Sequence, residues 1–406
     1  MLNQVNIGLF ITGGIASYKM GELARQLIKR GANVRVVMTE SAQEFITPLT
    51  LQTLTKHPVM VDTFDEYDPQ VVQHIHLADW VDIALVAPAT ANIIAKMAHG
   101  IADDVVSTTL LAINKPRLVV PAMNTKMYEN PATQANIKKL ESFNDSVMEP
   151  ATGFLAEGYH GKGRMPEIED IVDQLDFEIM RHQAKQWLEG KKVIVTAGGT
   201  VERIDPVRYI SNDSSGQMGY AIAKAAAYHG GQVLLVSTKK DLKTPVGVDV
   251  IYVESAIQMQ EVVNAHYADS DYVVMAAAVS DYRVSQQADQ KIKKGSQEDE
   301  GLRLDLVENP DILKTLGMNK DQQVLIGFAA ETENVLAHAQ SKLKNKQLDW
   351  IIANDVSNTG IGFNSTHNEV MVLGADGSYE EVSIRSKTEV ALEIWRIILD
   401  PNFMAD

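Results

Sequence analysis

Near the middle of the chain, Val193-Ile194-Val195-Thr196-Ala197 reads as a short apolar strand that runs straight into Gly198-Gly199-Thr200. A second Gly/Ser turn, Ser214-Ser215-Gly216, precedes a helical pattern over Tyr220–His229. A strand that empties into glycine-rich backbone at a helix start gathers N–H groups and the positive helix end in one place, which suits a phosphate. Such an opening at mid-chain predicts that a second nucleotide-binding fold begins there. The residues before it must then form a domain of their own, and 406 residues are enough for about two or three.

The first half repeats the theme. Val5–Ile11 reads as a buried strand entering Thr12-Gly13-Gly14-Ile15-Ala16-Ser17. Tyr18–Arg30 follows at helical spacing through Leu23, Ala24, Leu27 and Ile28; Gly31 stops it, and Val34–Met38 is the next strand. This order predicts a parallel sheet. The glycines do not fit the spaced dinucleotide fingerprint, and a tight turn with Ser17 at the helix start suits one phosphate better than two. The strands Asp82–Ala87 and Arg117–Pro121 end in the polar loops Pro88-Ala89-Thr90-Ala91-Asn92 and Pro121-Ala122-Met123-Asn124. Ligands of open α/β sheets sit outside the carboxyl ends of the strands, so these loops form the candidate site.

Ala-rich helices are expected at Ile93–His99 and Asp104–Ile113. His74 and His76 read as one packed and one solvent-facing histidine, with no acidic cluster at metal-ligand spacing beside them. Asn124, taken alone, is a turn or cap residue. Gly153–Met165 holds four glycines and reads as a mobile loop or flap. Pro166–Met180 is helical with an acidic first turn, and the polar run after it reads as an interdomain linker. The expected division is 1–180, a linker at 181–190, and 191–406.

In the second half, strands are expected at Gln232–Ser237, Tyr272–Ala276, Val324–Phe328 and Trp350–Ala353, and helices at Ala256–Tyr267 and Asn334–Lys346. This is again a parallel sheet with crossover helices. Asp281 follows a strand and doubles as a cap candidate. Lys291-Ile292-Lys293-Lys294 sets three cations in four residues, which is either a solvated loop or a phosphate partner. Asn309-Pro310-Asp311-Ile312 marks a helix start, and Phe328-Ala329-Ala330-Glu331-Thr332 leaves another strand. Gly-rich turns, lysines and a carboxylate at strand ends suit a nucleoside triphosphate with Mg²⁺. There is no P-loop.

Composition narrows the classes. Lys and Arg number 37 against 53 Asp and Glu, a net charge of −16, which argues against nucleic acid or an acidic membrane as partner. There is no cysteine, hence no disulfide, zinc-thiolate site or thiol nucleophile. No basic n-region opens the chain, and no apolar run nears the ~18 residues that span a bilayer. A cytoplasmic location is expected.

With its motifs in order, the first half resembles the FMN-dependent cysteine decarboxylases, phosphopantothenoylcysteine decarboxylase above all. The motifs are Gly13-Gly14-Ile15-Ala16-Ser17-Tyr18-Lys19, His74, Pro88–Asn92, Pro121–Asn124 and the Gly-rich flap. The resemblance implies FMN at the strand ends, held by Gly13, Gly14, Ser17, Thr39, Pro88, Thr90, Asn92, Ser107 and Thr108. It makes His74 the active-site histidine and Asn124 the contact of the substrate carboxylate. The family's flap carries a cysteine in an Ala-Cys-Gly pattern as proton donor, whereas this chain has Ala156-Glu157-Gly158. Glu157 is the expected substitute, provided burial raises its pKa.

The second half resembles the bacterial phosphopantothenate–cysteine ligases. The match rests on Thr196–Thr200, Ile204-Asp205-Pro206-Val207-Arg208, Ile210-Ser211-Asn212, Asp281-Tyr282-Arg283, the lysine run, Asn309–Ile312 and Gly327–Thr332. It implies CTP as co-substrate with Mg²⁺ or Mn²⁺. Asn212 would contact an acyl-cytidylate and Lys291 would join the chemistry. Gly198, Gly199, Asp281, Lys291, Asn309, Pro310, Asp311, Ile312, Phe328, Lys342 and Lys346 would form the nucleotide site. The two halves together resemble bifunctional enzymes of coenzyme A biosynthesis, which implies a homo-oligomer with trimeric flavin and dimeric ligase domains. Glu157 leaves a second possibility, an active ligase whose FMN-binding domain is regulatory or impaired in decarboxylation.

Overall fold

A computed structural model describes residues 2–64, 70–293, 302–331, 334–355 and 367–400. The chain forms two compact units, Met1–Gln183 and Ala184–Asp406.

The first unit is built on a five-stranded parallel sheet of order β2-β1-β3-β4-β5. Its strands are β1 (Asn6–Ile11), β2 (Asn33–Met38), β3 (Ile83–Ala89), β4 (Arg117–Pro121) and β5 (Ser146–Val147). β3 is buried along its whole length, as an apolar run covered on both faces should be. Neighbouring residues of β1 feed opposite cores: Leu9 and Ile11 pack with Leu23, Val36 and Leu175, while Phe10 packs with Val86, Val106 and Val119. The helices are α1 (Met20–Lys29), α2 (Pro48–Thr55), α3 (Gln73–Trp80), α4 (Ala91–His99), α5 (Val105–Ala112), α6 (Thr125–Tyr128), α7 (Pro131–Ser142) and α8 (Ile168–Gln183).

The Gly-rich stretch expected as a mobile loop is an antiparallel hairpin, β6 (Ala151–Phe154) and β7 (His160–Arg164). Its glycines serve close approach rather than freedom. Met123 N–H donates to Gly163 O at 2.9 Å. A Cβ at Gly163, whose φ is +147°, would overlap Met123 O, and one at Gly161 would overlap Thr125 Oγ1. The expected linker is ordered at both ends: α8 runs on to Gln183, and Leu188 is buried with its N–H on His229 O at 2.9 Å.

The second unit carries an eight-stranded sheet of order β12-β11-β8-β13-β16-β17-β18-β19. The strands are β8 (Lys192–Ala197), β11 (Gln232–Ser237), β12 (Val248–Tyr252), β13 (Tyr272–Met275), β16 (Val324–Glu331), β17 (Trp350–Asp355), β18 (His367–Gly374) and β19 (Tyr379–Ser386). The first six positions pair in parallel, as expected; β18 and β19 add an antiparallel ribbon at one edge. Two small ribbons stand outside the sheet, β9 (Val201–Arg203) with β10 (Tyr209–Ser211) and β14 (Tyr282–Val284) with β15 (Leu306–Glu308). The helices are α9 (Gln217–Tyr228), α10 (Ala256–Tyr267), α11 (Ile312–Met318), α12 (Val335–Asn345) and α13 (Lys387–Leu399). α9 is rich in alanine because it is nearly all buried; Trp395 of α13 packs on it and donates to Ile222 O at 3.0 Å.

Candidate functional sites

In the first unit, hydrogen bonds knit the ends of β1 and β3 together. Thr12 Oγ1 donates to Pro88 O at 2.7 Å and accepts from Thr90 N–H at 3.1 Å. Gly14 lies against Thr90, and Gly13 against Ser41 two residues beyond Thr39. Thr39 caps the 3₁₀ turn Glu40–Glu44, and Thr90 caps α4, which begins one residue before the exposed Asn92. Gly13, Gly14, Pro88, Thr90 and Thr39 are thus brought to one sheet edge. Ser17 joins them in sequence but is fully buried, with its hydroxyl donating inward to Thr12 O at 2.8 Å. Its hydrogen is therefore committed to the turn rather than to a ligand. Ser107 is likewise engaged: it forms a capping box with Asp104, whose carboxyl lies below the usual range because Lys96 and Ser107 outweigh the cost of its burial. Thr108, next to it, is half-buried.

α3 packs on α5 and places His74 half-buried, with His76 exposed. His74 Nδ1 is buried with no hydrogen-bond partner in the protein, which fits a ring nitrogen reserved for a bound group. Asn124, the cap of α6, is the hub of the site. Its Oδ1 accepts from Lys126 N–H at 2.9 Å, and its Nδ2 donates to Glu157 Oε1 at 2.9 Å and to Tyr159 OH at 2.7 Å. The hairpin therefore brings Glu157 onto Asn124 across 33 residues of sequence. Glu157 itself is exposed, so the burial that the sequence reading required of it is absent. Tyr159 was not singled out from sequence, where an exposed tyrosine among glycines carries no signal.

In the second unit, a cleft of about 700 Å³ opens at the carboxyl ends of β13 and β16. Asn212, Asp281, Asn309, Pro310, Asp311, Ile312, Phe328 and Lys346 all line it. Asn212 Nδ2 donates to Ala278 O and Val279 O, each at 3.2 Å. Asn309 is held by its N–H on Asp281 O at 2.7 Å and its Nδ2 on Ser280 O at 2.8 Å. Asp311 caps α11 and pairs with Lys346 at 2.9 Å.

Four expected residues stand outside the lining. Gly198 and Gly199 build the turn behind it: Ala278 N–H donates to Gly198 O at 2.9 Å, and a Cβ at Gly199 would overlap Asn212 O. Lys342 is exposed on α12, and Lys291 is exposed on the segment after β14. Lys294 and Thr332 lie outside the described residues.

A smaller cavity of about 130 Å³ shares Ala277, Ala278 and Phe328 with the cleft and reaches Ser214 and Gly216 at the start of α9. Asn354, Asn368 and Lys387 line its far side. The Oδ1 atoms of both asparagines are buried without a partner, and burial lowers the Lys387 pKa. These three were missed. Only Lys387 had a sequence signal, the S-x-x-E box Ser386–Glu389 that starts α13. Among the described residues no group of three or more His, Asp or Glu side chains gathers as a metal site, and no helix is long and apolar enough to cross a membrane.

Two family models match the chain: the flavoprotein family over residues 1–180, and the DNA/pantothenate metabolism flavoprotein C-terminal domain over residues 188–401. The coenzyme A biosynthesis bifunctional protein CoaBC of Bacillus subtilis (strain 168) is 47% identical over 395 residues, covering 97% of this chain and 96% of the relative. That of Escherichia coli (strain K12) is 44% identical over 372 residues, 91% of each. A crystal structure of the C-terminal domain of a CoaBC protein is 42% identical, covers 53% of this chain and 96% of that one, and has a TM-score of 0.45. The FMN-dependent cysteine decarboxylase SpaF is 28% identical over 45% of this chain and 100% of its own, with a TM-score of 0.40.

Proposed function

From the premise that this chain belongs to the bifunctional coenzyme A biosynthesis proteins, we propose how its two units divide the chemistry. The protein is an enzyme with ligase and decarboxylase activities and carries out two consecutive steps of that biosynthesis. Cysteine is joined to 4′-phosphopantothenate, and the 4′-phosphopantothenoylcysteine formed is decarboxylated to 4′-phosphopantetheine. A purely regulatory flavin unit is not favoured, because relatives with the bifunctional name match both units.

In our reading the ligase step belongs to the unit from Ala184 onward and uses CTP. The carboxylate of 4′-phosphopantothenate attacks the α-phosphorus, pyrophosphate leaves, and the amine of cysteine then displaces CMP. The observation that carries this is the cleft itself, where Asn212, Asp281, the Asn309–Ile312 turn, Phe328 and Lys346 meet. Lys346 and Lys291 offset phosphate charge, as does Mg²⁺ or Mn²⁺. Among the described residues no side-chain cluster forms a metal cage, and the ion would be held chiefly by triphosphate oxygens, as Mg²⁺ usually is.

The decarboxylation belongs to the flavin unit. We assign Gly13, Gly14, Thr39, Pro88, Thr90, Asn92 and Thr108 to the FMN site, while Ser17 and Ser107 would shape the turns around it. When bound, FMN would supply a two-electron acceptor able to return the pair. In this reading His74, whose Nδ1 has no partner in the protein, takes part in the reaction, Asn124 takes the substrate carboxylate, and Glu157 delivers the last proton. A substrate seated at Asn124 would cover the Glu157 carboxyl and supply the burial that makes it an acid. A cytoplasmic homo-oligomer is part of this reading.

The test is a coupled assay with FMN, 4′-phosphopantothenate, cysteine, CTP and Mg²⁺, read by mass spectrometry. 4′-Phosphopantetheine is the expected product, and accumulation of 4′-phosphopantothenoylcysteine would refute the decarboxylase assignment. Glu157→Gln should keep the amide contact to Asn124 yet slow the final protonation by roughly a hundredfold, leaving the ligase rate unchanged. A normal overall rate in that variant removes Glu157 as the donor.

A further inference from the structure

One buried carboxylate in the ligase unit ties together two segments 87 residues apart. Asp205 lies in the turn between β9 and β10, and its side chain is wholly buried. Oδ1 accepts from the N–H groups of Val207 and Arg208, each at 2.9 Å. Oδ2 accepts from Arg208 Nε at 2.9 Å, from Arg208 Nη2 at 2.5 Å and from Ile292 N–H at 3.1 Å. Arg208 Nη2 also donates to Ile292 O at 2.7 Å.

An Asp that accepts from the next two or three N–H groups is an ordinary turn former. Val207 and Arg208 satisfy that role completely. The contacts to Ile292 go beyond it, because both backbone polar groups of a distant residue are taken by one ion pair. Residues 285–293 form no helix or strand, so no ladder holds Ile292 in place. The same turn makes a further tie to this segment, Ala288 N–H on Ile204 O at 3.0 Å. The flanking Lys291 and Lys293 are exposed. A buried carboxylate is costly unless its oxygens are filled, and five donors fill these. Burial alone would raise its pKa, but Arg208 and the three N–H groups hold it far below the usual carboxylate range.

The turn has a second connection. Three residues beyond Arg208, β10 ends, and Asn212 reaches the carbonyls of Ala278 and Val279 in the cleft. One short ribbon therefore carries the cleft asparagine at its end and the tie to the lysine segment at its turn. We propose that Asp205 is a positioning residue of the ligase reaction: through Arg208 and the Ile292 backbone it holds Lys291 in a set relation to Asn212. The inference rests on the ligase reading of Lys291 and Asn212, because Lys291 itself stands outside the cleft lining.

The test uses the full chain with Asp205→Asn. Limited trypsin digestion without substrates reads the tie directly, since cleavage after Lys291 and Lys293 requires that backbone to leave its place. Cleavage there should speed up roughly tenfold or more, with other sites unchanged. The ligase kcat should fall roughly tenfold or more while the KM for CTP changes much less, because the cation is displaced and not removed. Decarboxylation of supplied 4′-phosphopantothenoylcysteine by the same sample should persist. If Asp205→Asn does not fold, Arg208→Lys keeps the charge and removes the fork geometry, and the same two readouts apply. Unchanged digestion after Lys291 and Lys293 overturns the tie. Faster digestion with an unchanged kcat overturns the positioning role. A wild-type chain without ligase activity overturns the ligase reading and this proposal with it.

Discussion

Asn124 shows how much a single residue's geometry adds to its identity. Its amide is oriented by two partners, because Lys126 N–H demands the oxygen and the Glu157 carboxylate demands the nitrogen, which leaves the Tyr159 hydroxyl as the second acceptor. Both N–H bonds are thereby used, so a substrate carboxylate seated at Asn124 takes the place of one of these two acceptors, and the phenol of Tyr159 keeps its own hydrogen for a ligand. Tyr159→Phe removes an acceptor from the amide and leaves the exposed ring in place. The expected result is a KM for 4′-phosphopantothenoylcysteine raised roughly three- to tenfold, the worth of one hydrogen bond, with the ligase rate unaffected. An unchanged KM would show that Lys126 and Glu157 suffice to orient Asn124. None of this was legible from spacing. Asn124 read alone as a turn residue, and its cap contact to Lys126 N–H bears that out. Its long-range partners come from a hairpin that the glycines concealed.

At the scale of elements, legibility followed burial. Arg117–Pro121, Gln232–Ser237 and Ala256–Tyr267 have the ends expected of them, because continuous apolar runs and a capping box leave little choice. The β6–β7 hairpin was read as a loose flap because polar, glycine-rich strands carry no alternation. The ribbon β18–β19 was left unassigned even though Asp376-Gly377, with φ +96° at the glycine, is a hairpin turn signal. The hairpin of the flavin unit makes the sharper prediction. Gly163→Ala places a Cβ against Met123 O at a φ few residues adopt, which costs about 1–3 kcal/mol. The strain should be relieved by lifting β7 from the loop that carries Asn124. Decarboxylation should then fall with Glu157 no longer on Asn124, while global stability falls by no more than that amount. Decarboxylation at the wild-type rate in Gly163→Ala would mean that the docked hairpin is not needed for catalysis.

At the scale of the molecule, the net charge of −16 stands against substrates that are themselves anions, so attraction must be local rather than global. In the proposed reading each unit supplies it through its own strand ends, and each has its own cores. The clusters around Leu9 and around Phe10 use residues only from the first unit, and the cluster around Val273 only from the second. From these separate cores we predict that each unit folds and acts on its own. Residues 1–183 expressed alone should decarboxylate supplied 4′-phosphopantothenoylcysteine, and residues 184–406 should form it from 4′-phosphopantothenate, cysteine and CTP. The cut falls after the last turn of α8 and before Leu188 docks beside His229, so neither fragment loses a buried side chain of its own core. Mixed in one tube, the fragments should complete the conversion, because the shared intermediate is small and free to diffuse. If either fragment is folded but inactive, its active site takes something from the other unit. If both are active yet the mixture is far slower than the intact chain at equal concentration, the covalent joining of the units serves the passage of the intermediate and not only its supply.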